Sequence, residues 1–188
     1  MARDVVGLLV CNLLFFAAGA GLLRLLGAWR TPRGLTRTLG VAYLAGVAAV
    51  GVTLQLLLVL GSPFNRWVVI AVCGALALAG LAARDPIELP AHRARIPAYL
   101  WPALIALVGI VALMAVDLWF QPLGVWDAWA QWTAKARALV VFNGLNVDVL
   151  ASAPYRPWNP DYPLLVPAIE ASDFAFMGHV NTRAIHVQ

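Results

Sequence analysis

Four uncharged apolar runs dominate the chain: Val5 to Leu23, Thr38 to Asn65, Trp67 to Ala83 and Ile96 to Val116. Each supplies about 20 residues, which at ~1.5 Å per residue crosses a hydrocarbon core of ~30 Å, although the third needs its flanks. Open strands would strand backbone N–H and C=O groups in lipid, so helix is the expected state throughout. The breaks are equally plain. Gly61-Ser62-Pro63 separates the second run from the third, and Pro86, Pro90 and Pro97 punctuate the approach to the fourth. Charged residues make up only 12% of the 188, against roughly 25% in a soluble domain, which excludes that class. The fold class expected is an all-α polytopic transmembrane bundle.

The cations orient it. Arg24, Arg30, Arg33 and Arg37 flank the first connection, and Arg84, Arg93 and Arg95 lie in the third. Only Arg3 and Arg66 occupy the other side before the fourth run ends. The positive-inside rule puts the amino terminus outside and those two connections in the cytoplasm. The net charge of +4 is thus a topology signal and no sign of a nucleic-acid partner. A cleaved signal peptide ending near Ala18-Gly19-Ala20 fits less well, because Asp4 offsets Arg3 and the stronger basic cluster follows the run. Cys11 and Cys73 fall inside apolar runs and have neither disulfide nor metal spacing. Twelve arginines against a single lysine, Lys135, suggest a GC-rich bacterial genome, and hence a bacterial inner membrane.

After the fourth run the chain returns to the outside, and five of its eight tryptophans lie between Trp119 and Trp158, as in an interfacial aromatic belt. From Asp127, at ~100° per residue, Trp129, Trp132, Ala136, Leu139 and Val140 share one arc. Asp127, Gln131 and Lys135 share the other. The pattern predicts an extracytoplasmic amphipathic helix from about Asp127 to Phe142, lying on the membrane with its polar side up. Asp127 is placed to cap that helix, worth ~1 kcal/mol. Lys135 and Arg137 can equally be headgroup cations. Pro157, Pro160 and Pro163 then enforce an extended stretch. Beyond Pro163 a helix carries Glu170 and Asp173 on one face. Acids there either line a polar cavity or belong to a helix that begins outside the membrane.

This order of parts resembles the first external loop of GT-C-type polytopic glycosyltransferases, which include protein mannosyltransferases and lipid A aminoarabinose transferases. The likeness runs from about Val116 to Val187 and rests on Trp126-Asp127-Ala128 and Asn159-Pro160-Asp161-Tyr162-Pro163. It implies transfer of a sugar from a polyprenyl-phosphate donor to an acceptor at the outer face of the membrane, with Asp127 as general base. It also implies that Asp161 matches a position that in some members binds a divalent metal ion. Where many relatives have Asp-Glu, Ala128 follows Asp127 here, and Tyr162 replaces a lysine that in some members holds donor phosphate. Lys135, Arg137 and Arg156, with Gln131 and Tyr162, are the substitutes expected to contact substrate. On this reading residues 1–97 are an amino-terminal three-span segment and 98–188 the start of the transferase core. The ending HVNTRAIHVQ reads as a turn entering a further helix, as in the amino-terminal part of a longer protein. A non-catalytic transporter or scaffold subunit, with Glu170 and Asp173 lining a polar path, and a lipid-carrier polymerase or ligase share the same architecture.

Overall fold

The computed structural model describes residues 2–83, 101–120, 131–154 and 162–187 of the chain, except the side chains of residues 115, 118, 119, 186 and 187. The described residues are helical, with no strand among them: α1 (Ala2–Leu25), α2 (Pro32–Arg37), α3 (Leu39–Val59), α4 (Arg66–Leu81), α5 (Trp101–Phe120), α6 (Thr133–Val141), α7 (Val147–Leu150) and α8 (Leu165–Met177), then a 3-10 turn at Ala184–Val187. Two of them, α1 and α3, are long and apolar enough to cross a membrane, with mean hydropathies of 2.2 and 2.0. At 16 residues α4 reaches about 24 Å, short for a span without its flanks. The 13 residues of α8, about 20 Å, do not span.

At the centre is α1, packed on α3, α4 and α8. Glycine makes this possible. A Cβ on Gly19 would run into the Ala42 carbonyl of α3, and one on Gly46 into the Phe15 carbonyl of α1. Gly21 and Gly80 bring α1 and α4 into the same backbone-to-backbone contact. Small residues at such crossings let dispersion forces act where no hydrophobic drive separates helix from lipid. The shared core gathers Cys11, Phe15 and Ala18 of α1, Val50 and Leu54 of α3, Val69 and Cys73 of α4, and Ala168, Phe174 and Met177 of α8. Since α8 packs on α1 and α3, the two sequence segments share one core; their expected boundary at residue 97 lies outside the described residues.

Both bundle ends are well defined. Asn65 caps α4, accepting from the Trp67 and Val68 amides at 3.0 and 3.2 Å. The loop before it meets the turn after α6, where the Phe64 amide donates to the Asn143 carbonyl at 3.1 Å. On the same end Asp4 of α1 accepts from Asn181 Nδ2 at 3.0 Å and lies 3.4 Å from His179 Nε2. The α1–α3 connection sits at the opposite end, where Trp29 Nε1 donates back to the Ala20 carbonyl at 2.8 Å.

The expected surface helix is present from residue 131 and ends, as expected, at Phe142. Its expected facing is overturned. Lys135 is only 1% exposed, and Gln131 and Thr133 are buried together with Ala136, Ala138 and Leu139. Those positions sweep more than half of the helix circumference at ~100° per residue. Arg137 and Val141 are left outside. The reason is α8, which packs along α6 and supplies polar partners to the face that an isolated amphipathic helix would have turned to water. Trp132, expected against lipid, is half-buried with its ring 6.0 Å from that of Tyr162.

Candidate polar site between α6 and α8

Gln131, Thr133 and Lys135 enter the protein from α6 and its first turn. Each is a polar side chain buried by more than its own stem, so each needs a partner. Thr133 Oγ1 donates to Glu170 Oε2 of α8 at 3.1 Å. The Lys135 ammonium donates to the Tyr162 carbonyl at 3.4 Å and lies 5.6 Å from the centre of the Tyr162 ring, within cation–π reach. Tyr162 immediately precedes Pro163 and the short approach to α8. One lysine therefore ties α6 to the segment that leads into α8.

Deeper in the core lies Asp173, one helical turn beyond Glu170 and 0% exposed. Neither of its carboxylate oxygens has a hydrogen-bond partner among the described residues. Its nearest polar neighbours are the Cys11 thiol of α1 and, within electrostatic range, Glu170 and Tyr43. Glu170 is half-buried beside α6. Burial pushes its carboxyl up from the ordinary 4.5 to about 7, and the Thr133 hydroxyl opposes part of that rise.

The sequence-derived site residues divide into three groups. Lys135 and Tyr162 come together beside α8, although Tyr162 is half exposed, and Gln131 is buried in the turn before α6. Arg137 is carried on the exposed side of α6, away from the Lys135 face. Asp127, Arg156 and Asp161 lie outside the described residues. Thr133 and Asp173 belong to the polar interface but not to the residues expected to touch substrate. Asp173 had a sequence signal, an acid at i+3 from Glu170; Thr133 had none, because its hydroxyl gains meaning only from the carboxylate opposite. No group of three or more His, Cys, Asp or Glu side chains that could hold a metal ion occurs among the described residues, and Asp161 lies outside them.

Comparison with protein families, with curated proteins and with solved structures gives no match.

Proposed function

We propose that the chain is a polytopic glycosyltransferase of a bacterial inner membrane, moving a sugar from a polyprenyl-phosphate donor to an acceptor at the outer face. The reading places the α1 amino terminus, the α3–α4 loop and the α6–α8 interface outside, and the arginine-rich connections inside. One observation carries it: the Lys135–Tyr162 contact joins the two arms of the external loop. Asp127 lies eight residues before Lys135 in sequence, and Asp161 is next to Tyr162. The contact therefore supports a single cleft fed by both arms.

In that cleft the acceptor hydroxyl attacks the anomeric carbon while Asp127 takes its proton, worth ~10²–10⁴-fold. The bond from that carbon to the phosphate oxygen breaks, and the electron pair leaves with polyprenyl phosphate. Lys135 and Arg156 offset the charge left behind, and Arg137, on the outer side of α6, engages lipid headgroups. Transfer of labelled sugar from a lipid donor, compared between wild type and Asp127→Asn at equal expression, tests the reading. Asparagine caps a helix about as well as aspartate but takes no proton at neutral pH, so a fall of at least ~10²-fold with folding intact is expected. Unchanged turnover would reduce Asp127 to a cap.

A second reading, a non-catalytic membrane protein with a polar path through Glu170 and Asp173, draws on the buried carboxylate of Asp173, which has no nitrogen or oxygen donor among the described residues. Absence of any sugar transfer alongside ion or solute flux in vesicles would favour it.

A further inference from the structure

The Asp173 carboxylate is out of keeping with its surroundings. It shares a core with Phe15, Phe174 and Met177, all fully buried. An ionised carboxylate in such a place loses its hydration and must be compensated by a counter-charge or by several donors. Among the described residues, the groups that face it offer neither. From α1 comes the Cys11 thiol, with Cys73 of α4 behind it; from α3 the Tyr43 phenol; from its own helix Glu170, another acid. None of these is a cation. The Tyr43 hydroxyl is already committed, donating to Asn12.

Two kinds of ligand would relieve the cost. A small hard cation wants a cage of about six oxygens. Asp173 instead has a thiol beside it, and no three metal-binding side chains converge among the described residues. A proton needs no cage. It neutralises the carboxyl outright, and the hydroxyl so formed is a weak burden in an apolar core. Glu170 then has a place in the same scheme. It lies at i−3 on the same face of α8, half-buried, at the α6 boundary where Thr133 holds one of its oxygens. We infer that Asp173 and Glu170 form a proton-binding pair, Asp173 holding its proton in the core and Glu170 passing protons between it and the aqueous end of the bundle beside α6. Binding is the simple protonation of one carboxylate; no redox partner or co-substrate enters. The pair does not depend on sugar transfer, and its test uses no sugar donor.

Infrared spectroscopy of the full chain in phospholipid nanodiscs at pH 7 reads the proton directly. A protonated carboxyl has a carbonyl stretch well separated from carboxylate bands, and it shifts down in D2O. The difference spectrum of wild type minus Asp173→Asn is expected to show that band lost. Labelling all aspartates of the wild type with carbon-13 gives the same answer without a variant: the band should move with the label. A difference spectrum showing only carboxylate bands, or no labelled protonated band at all, would overturn the proposal. Replacement of the band by carboxylate bands on adding sodium at fixed pH would also overturn it, by making the ligand an alkali cation. Glu170→Gln is expected to keep the Asp173 band and slow its exchange with D2O. Exchange at the wild-type rate would remove Glu170 from the pair.

Discussion

Lys135 Nζ lies 3.4 Å from the Tyr162 carbonyl oxygen and 5.6 Å from the centre of the Tyr162 ring, inside an interface that leaves the lysine 1% exposed. A charge-assisted hydrogen bond of this kind contributes about 1.5–3 kcal/mol, and the ring adds to it. Lys135→Met keeps most of the stem but removes the donor to the Tyr162 carbonyl and the charge over its ring. It should lower stability by about 2 kcal/mol, read as a fall in the unfolding midpoint in detergent, with Lys135→Arg losing less. An unchanged midpoint for Lys135→Met would mean that the loop arms are held together by other contacts.

Backbone contact between α1 and α3 sets a second expectation. Gly46→Ala puts a methyl into the Phe15 carbonyl, a backbone atom that cannot rotate away. Overpacking of this kind costs about 1–3 kcal/mol. Gly74 of α4 is the control, because a Cβ there meets nothing within 4 Å. Gly74→Ala should be neutral or stabilising by up to ~1 kcal/mol, the helix-propensity difference between the two residues. Equal midpoints for the two alanine variants would argue against the close crossing.

Much of the fold was legible because helix in an apolar chain is dictated by backbone hydrogen bonding, not by side-chain detail. The break at Gly61-Ser62-Pro63 and the end of α6 near Phe142 were readable for the same local reason. The facing of α6 was not. A helical wheel sorts residues by polarity, but the Thr133 and Lys135 face of α6 is buried where it packs on α8, an element whose position depends on contacts more than thirty residues away. The polar stripe marked a protein–protein face, and only the arrival of Glu170 and Tyr162 distinguishes that from a wet one. The same holds at Asp173. Its spacing from Glu170 was visible in the sequence, whereas its burial beside the Cys11 thiol, with no nitrogen or oxygen donor among the described residues, is a property of the packed bundle.

The raised Glu170 carboxyl makes stability pH-dependent with a definite sign. An acid whose folded value of about 7 exceeds its ordinary 4.5 binds more protons in the native state between those limits. Stability therefore falls as pH rises from about 4.5 to about 7 and levels off above. Glu170→Gln removes the titration while keeping an oxygen to accept from Thr133. The midpoint of the glutamine variant relative to wild type should rise across that window and stay flat outside it. A difference independent of pH would show that Glu170 is not held out of water.

Topology follows from combining geometry with charge. The loop after α3 and the turn after α6 touch, Phe64 N to Asn143 O at 3.1 Å, so Ser62 and Asn146 belong to one end of the bundle and Thr31 to the other. Among the described residues before α5, Arg24, Arg30, Arg33 and Arg37 lie on the Thr31 side and Arg3 and Arg66 on the opposite side, so the positive-inside rule predicts a cytoplasmic Thr31. Single cysteines at Ser62, Asn146 and Thr31 separate the two parts of this argument, since the native Cys11 and Cys73 are buried. A membrane-impermeant maleimide added to intact cells should label the first two and spare the third until the membrane is opened. Labelling at Thr31 alone would keep the packing and invert the protein in the membrane, moving the α6–α8 site to the cytoplasmic face. Labelling that divides Ser62 from Asn146 would instead break the contact between the two loops.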